Sequence, residues 1–264
     1  MLQSIRKNLK MFAVSQRYTW LSFLIYRGQA LSWAVVWMFS TAASFVSISV
    51  IYGVSPGIAG WSYYQMLALA ALSNMAIGIV SYLIRPWDLI MLMRNGVFDQ
   101  FLTKPYDPIA LILSRSGTRA SIGGVISSLA MLAYALANQG GISMPAFMTA
   151  VLLFALGTAA LTMFIVTISI LSYVLFKSGN YIQWLINIAG TTSNYPLQIY
   201  SIAGTVLLTV GLPVGLAAFY PAELMFAKIS YPFTLGMAAL SIALIMTFYR
   251  ASTYLLRFYT GGGG

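Results

Sequence analysis

Residues 96–108 read GVFDQFLTKPYDP. The chain of 264 residues holds four acidic side chains, and two of them, Asp99 and Asp107, fall in this segment. A third, Asp88, lies just upstream in Arg85-Pro86-Trp87-Asp88. Carboxylates gathered with basic residues and prolines mark a segment that meets water, in a chain that otherwise avoids it.

Outward from this segment the sequence is apolar. Hydrophobic residues make up 60% of it, charged residues 7%, and the mean hydropathy is +0.85. A soluble domain carries roughly 25% charged residues, so the charges present cannot cover a soluble surface. The composition predicts an all-α integral membrane protein. Cysteine and histidine are absent. That removes disulfides, thiolate metal sites and the commonest general base. The opening MLQSIRKNLKMFAVSQR is basic and lacks the short apolar run and cleavage site of a signal peptide.

A spanning helix needs about 20 mostly apolar residues. Six windows qualify: 29–52, 64–84, 120–137, 146–176, 199–220 and 232–249. None contains Lys, Arg, Asp or Glu. The fourth is long enough to tilt or break. The fifth holds Gly204, Gly211, Pro213 and Gly215, which predicts a kink near Pro213. Thirteen of the 14 basic residues fall in the N-terminal segment, the 85–119 loop, Lys177 and the C-terminus, leaving Lys228 alone on the other side. The positive-inside rule then places both termini in the cytoplasm, as an even span count also requires. The net charge of +10 is read as this topology signal, not as nucleic-acid binding.

Three segments are neither span nor simple loop. Residues 1–27 place Leu2, Ile5, Leu9, Phe12 and Ala13 on one helical face and Arg6, Lys10 and Arg17 beside it. That pattern suits a helix lying in the membrane interface, or equally a basic anchor that only fixes topology. Residues 178–194 carry Asn180, Gln183 and Asn187 at helical spacing. They suit a short interfacial helix, with a substrate-facing amide row as the alternative. Residues 218–233, bracketed by Pro221 and Pro232, are too apolar for an exposed loop and are expected to form a re-entrant extracellular hairpin. Glu223, the one acid outside the 85–119 loop, is read there as a carboxylate at a helix N-terminus. A gating role is the alternative.

No G-x-x-x-x-G-K-[ST] phosphate loop occurs, so the chain does not bind ATP in that way. No catalytic constellation is available either. The expected spans lack the ionisable residue that proton-coupled transporters place in the membrane. Three classes of function remain: a permease energised by a partner, a stand-alone secondary transporter or channel, and a non-transporting scaffold. Ser44, Ser47, Ser49 and Asn74 argue mildly against the scaffold, though small polar residues also serve ordinary helix packing.

A partner would meet the 85–119 loop. Arg85-Pro86-Trp87-Asp88 and Lys104-Pro105-Tyr106-Asp107 punctuate it with the same order of basic, proline, aromatic and aspartate. Between them Val97, Phe98, Phe101 and Leu102 form an i, i+1, i+4, i+5 apolar patch beside Asp99 and Lys104. Read as a helix, this patch enters a groove of a partner while the charges fix its register. Read as a plain loop, its aromatics rest on lipid headgroups.

Gly96, Phe98, Asp99, Leu102, Lys104, Pro105 and Pro108 together resemble a segment of the type-2 ABC exporter permeases, in particular a small prokaryotic branch with six spans. Asn194-Tyr195-Pro196 with Ile199-Tyr200, Leu212-Pro213 with Tyr220-Pro221-Ala222, and the terminal Arg257-Phe258-Tyr259-Thr260-Gly261 resemble further stretches of that branch in the same order. The resemblance implies a permease subunit in a prokaryotic cytoplasmic membrane. It implies pairing as a homo- or heterodimer, with two separate ATP-binding cassette subunits docked. Those subunits, not this chain, would hold ATP and magnesium. It further implies that residues 97–104 are the coupling helix, with Phe98, Phe101 and Leu102, beside Val97, anchoring the ATPase contact and Asp99 and Lys104 orienting it. Pro105 and Asp107 belong to the same coupling segment, where one of Asp99 and Asp107 faces the ATPase and the other caps the turn at Pro108. Lys104 stands where arginine is usual, which keeps the charge but not the planar fork. At the far side Pro213, Pro221 and Glu223 would shape the extracellular hairpin.

Overall fold

A computed structural model describes residues 2–55, 57–177 and 180–261, with the backbone alone at 2–5, 180, 181 and 183. The expected roles of Leu2 and Ile5, and of Asn180 and Gln183, therefore fall on side chains outside the described residues. Helix accounts for 83% of the described residues, and no strand occurs among them. The helices are α1 (Leu2–Ile25), α2 (Arg27–Val54), α3 (Tyr63–Leu83), α4 (Pro86–Arg94), α5 (Asp99–Leu102), α6 (Pro108–Arg115), α7 (Ile122–Gln139), α8 (Met144–Phe176), α9 (Asn180–Thr192), α10 (Ile202–Val206), α11 (Tyr220–Met225) and α12 (Tyr231–Leu255).

Among the described residues five continuous stretches are long and apolar enough to cross a membrane, Arg27–Val54, Tyr63–Arg94, Arg119–Gln139, Met144–Phe176 and Tyr231–Phe258, and a bent pair at 202–225 makes a sixth if it is one span. Each of the five encloses a window read from the sequence. At 1.5 Å per residue, α8 is about 50 Å long, well beyond a hydrocarbon core of about 30 Å.

Glycines set how closely these helices approach. A Cβ at Gly123 of α7 would lie 2.3 Å from the carbonyl oxygen of Ala34 in α2, so the two backbones touch there. Close packing through small residues is the usual device between spans, since lipid leaves no hydrophobic drive for helix association.

The fifth expected span is sharply bent, and its second arm runs into the expected hairpin. Helices Ile202–Gly211 and Gly215–Met225 meet at an 84° bend, with Pro213 in the three-residue break. Proline lacks the N–H and crowds the preceding turn. The Leu212 N–H bonds the Leu207 carbonyl at 2.6 Å, five residues back, and π-helical turns flank the break on both sides. The kink near Pro213 is thus a right-angled elbow. The bend makes 202–225 a broken span or a re-entrant loop; within the expected hairpin of 218–233, residues 218–225 continue the second arm and α12 starts at Tyr231. Pro221 falls in the first turn of α11, where a missing N–H costs little, and so does not interrupt the arm.

This second arm is buried along its length from Val214 to Met225. A Cβ at Gly157 of α8 would sit 2.0 Å from the Leu216 carbonyl oxygen, so α8 and the arm share a backbone contact.

Helix α9 also departs from expectation. The Ser193 and Ser73 hydroxyls share a 2.5 Å hydrogen bond just beyond its end, and Asn74 donates to Asn194 at 3.4 Å. Ser73 and Asn74 lie midway along α3. Helix α9 therefore climbs into the bundle instead of lying flat, because its apolar Ile182 and Ala189 are buried and the residues after it find polar partners at mid-span.

Candidate docking site at the basic end

The basic segments converge at one end of the bundle. The loop from Arg85 to Arg119 closes on its own start: the Arg85 N–H bonds the Ser116 carbonyl at 2.6 Å and the Thr118 N–H bonds the Ser81 carbonyl at 3.0 Å. A Cβ at Gly117 would lie 1.9 Å from the Tyr82 carbonyl oxygen, so this closure requires glycine.

The two similar motifs are used in different registers. In the first, Pro86 opens α4 and Arg85 pairs with Asp88 at 3.5 Å. In the second, Asp107 is the cap and Pro108 opens α6. The Asp107 carboxylate accepts the Ala110 N–H at 3.0 Å and the Tyr249 hydroxyl at 2.5 Å. Its own N–H donates to Asn8 at 3.3 Å. One aspartate therefore joins α1, α6 and α12, while Pro105 and Lys104 lie in the turn before it.

Helix α5 is a single turn, entered through Gly96 at φ +71°, a conformation that glycine adopts without strain. Phe98 and Phe101 are 0% and 1% exposed, whereas Val97 is 37% and Leu102 45% exposed. The continuous apolar patch read from the sequence is thus split, and Phe98 and Phe101 face this chain rather than a partner. The cause is the period. N–H groups of Gln100, Phe101 and Lys104 bond carbonyls three residues back, so 98, 101 and 104 share a face. Phe98 packs edge-on against Tyr259, with centroids 5.2 Å apart, and Phe101 lies beneath Arg115 and Lys104. The outward edge is Val97, Asp99, Gln100, Leu102 and Thr103.

Helix α1 is clamped beside this loop. Buried Arg119 donates to the Tyr82 carbonyl at 2.9 Å and to the Thr19 hydroxyl at 2.8 Å, with its guanidinium 4.4 Å from the Tyr82 ring centroid. The Tyr82 hydroxyl donates to Gln16 and accepts from Trp20. Val14, Tyr18, Leu21 and Ile25 leave an exposed apolar stripe on α1.

At the opposite end, Gln198 donates to the Glu223 carboxylate at 2.6 Å. Glu223 is buried in the first turn of α11, in the second arm, and Gln198 supplies a side-chain donor to its carboxylate. Lys228 donates to the Gly60 carbonyl at 3.2 Å and lies 3.9 Å from the Trp61 ring centroid. Burial pushes its pKa down, and the nearby Glu223 charge partly offsets this.

Asn74 donates to Ser44 at 3.2 Å and to Asn194, making a small polar cluster at mid-span. The sequence offered Ser44 and Asn74 separately; their juxtaposition with Asn194 needed the path of α9. The C-terminal Tyr259 was quoted in the sequence only as part of a terminal motif, and its place behind Phe98 had no local signal.

Comparison with curated proteins and with solved structures returned no match. A family model described as ABC-2 family transporter protein matches residues 38–263, which includes the 85–119 loop, the elbow and the C-terminal segment.

Proposed function

The chain belongs to the ABC-2 family of transporter proteins, and from that premise we propose that it is the membrane subunit of an ATP-driven exporter, docking separate ATP-binding subunits through residues 97–104. The observation that carries this reading is the split turn: Val97 and Leu102 project outward from a base fixed by buried Phe98 and Phe101, with exposed Asp99 beside them against Gly261. A rigid base with exposed apolar and charged groups suits a partner groove, because little ordering entropy is lost on docking. Buried, the two phenylalanines act as the base and Val97 and Leu102 as the contact; Asp99 and Lys104 orient it and Asp107 holds the turn.

On this reading the basic end is cytoplasmic, in a prokaryotic inner membrane, and α1 lies against lipid with its apolar stripe inward. Two ATP-binding subunits, carrying ATP and magnesium, drive a pair of permease protomers between inward- and outward-facing states. The elbow and the Gln198–Glu223 contact lie at the end that opens outward. Reconstitution with the co-purified ATP-binding subunits tests this. Transport should require ATP hydrolysis, and Leu102→Asp should uncouple it while the protein still inserts. Transport driven by an ion gradient alone would overturn the reading in favour of a secondary transporter.

A further inference from the structure

The docking turn is backed by a chain of three aromatic rings from three parts of the sequence. Phe98 meets Tyr259 edge-on at 5.2 Å, and Tyr259 meets Tyr173 at 5.5 Å. Phe98 belongs to the turn, Tyr173 to the last turns of α8, and Tyr259 to the segment just after α12. The Tyr259 hydroxyl donates to the Met93 carbonyl at 3.0 Å, and the Tyr173 hydroxyl lies 3.4 Å from the carbonyls of both Met93 and Thr260. Met93 is in the last turn of α4, where helix carbonyls lack i+4 partners, and its carbonyl also accepts the Gly96 N–H at 3.3 Å. The two tyrosines supply hydroxyl donors there. The Asp99 side chain rests against the same C-terminal segment, since a Cβ at Gly261 would lie 3.2 Å from its carboxylate.

Beyond Tyr173, α8 runs to Gly157, where its backbone touches Leu216 of the bent arm. It is also fastened to α12: the Thr167 hydroxyl lies 3.0 Å from the Phe248 carbonyl and 2.9 Å from the Ser252 hydroxyl. Packed aromatic contacts transmit displacement because a close-packed core does not compress. The turn, the three rings, α8 and the buried arm form one contiguous contact path through the bundle.

We propose that Tyr259 is a positioning residue for transport: it transfers displacement of the docking turn to α8, and so to the elbow at the opposite end. The inference rests on the exporter reading above and adds to it a route and a residue. It assigns the C-terminal segment a mechanical role.

The chain has no cysteine, so a single introduced thiol is the one maleimide site on this subunit, read on its own gel band. Ala222→Cys places it in the second arm, where Ala222 is 0% exposed. In the complex with its ATP-binding subunits, maleimide labelling of this thiol is followed with and without ATP and vanadate. The parent should label faster in the nucleotide-trapped state. Tyr259→Phe, which keeps the ring stack, should respond like the parent. Tyr259→Ala should reduce the nucleotide-dependent change by about tenfold, within the usual range of coupling between sites, while assembly and ATP hydrolysis persist. If Tyr259→Ala fails to assemble, Tyr259→Leu, which fills the space without a planar ring, is read by the same criterion. A full response in Tyr259→Ala or Tyr259→Leu would overturn the route and leave the exporter reading intact. A parent that hydrolyses ATP without any change in labelling would overturn the route alone, whereas transport on an ion gradient without ATP would overturn the exporter reading and the route together.

Discussion

The Tyr249 hydroxyl donates to the Asp107 carboxylate across 2.5 Å, joining α12 to the cap of α6 over 142 residues of sequence. The same carboxylate receives the Ala110 N–H at 3.0 Å. Asp107 therefore has two duties that respond differently to substitution. Asparagine caps a helix as well as aspartate does and still offers an oxygen to Tyr249, but without the charge. Asp107→Asn should cost about 1 kcal/mol or less, whereas Asp107→Ala loses the cap at about 1 kcal/mol and the charge-assisted bond at about 1.5–3 kcal/mol. Thermal unfolding in detergent, with Tyr249→Phe as the single loss of the second bond, separates these contributions.

Phe101 and Leu102 are adjacent and face opposite ways. Truncating a buried phenylalanine costs about 3–5 kcal/mol, so Phe101→Ala should lower thermal stability strongly and impair assembly only as a consequence. Leu102, 45% exposed, has little packing to lose. Leu102→Ala should leave the melting temperature nearly unchanged but weaken co-purification of the ATP-binding subunits. Equal stability losses in both variants would show that the turn adopts the helical period in solution, with both side chains packed.

How far the sequence reveals this architecture depends on the range of the contacts involved. The five continuous spans are local features: hydropathy over about 20 residues suffices, and five of the six expected windows lie inside them. Pro213 announced a break, again locally. The angle of that break and the burial of the arm beyond it depend on Gly157 meeting Leu216, a contact between distant segments that no local pattern encodes. Phe98 and Phe101 were read with a 3.6-residue period, but Gly96 and the short turn impose a three-residue one. The face assignment failed because four residues are too few to establish a period. Tyr259 acquires its place only when α4, α8 and the chain end are brought together.

The contact between Gly157 and Leu216 gives a sharp contrast between two glycines. A Cβ at Gly157 would fall 2.0 Å from the Leu216 carbonyl oxygen, so Gly157→Ala must push α8 and the bent arm apart. Overpacking of this kind costs about 1–3 kcal/mol. Gly190 in α9 meets nothing within 4 Å. There, alanine should stabilise the helix by about 0.5–1 kcal/mol. The two melting temperatures should therefore move in opposite directions from the parent. A neutral Gly157→Ala would mean that α8 and the arm do not touch as described.

Glu223 and Gln198 offer a test of whether charge or hydrogen bonding holds the elbow's outer arm. Gln198 donates its amide to the carboxylate at 2.6 Å, and a glutamine at 223 would present a carbonyl oxygen in the same role. Glu223→Gln should keep the arm in place, with thermal stability within about 1 kcal/mol of the parent, the usual net value of one such bond. Glu223→Leu fills the space but leaves the Gln198 amide without its acceptor, so the arm should loosen. With Ala222→Cys as reporter, Glu223→Leu should raise labelling in the nucleotide-free state, while Glu223→Gln should not. If both substitutions raise labelling equally, the negative charge, acting through Lys228 as well as Gln198, is what closes this end. Lys228→Gln should then reproduce the effect.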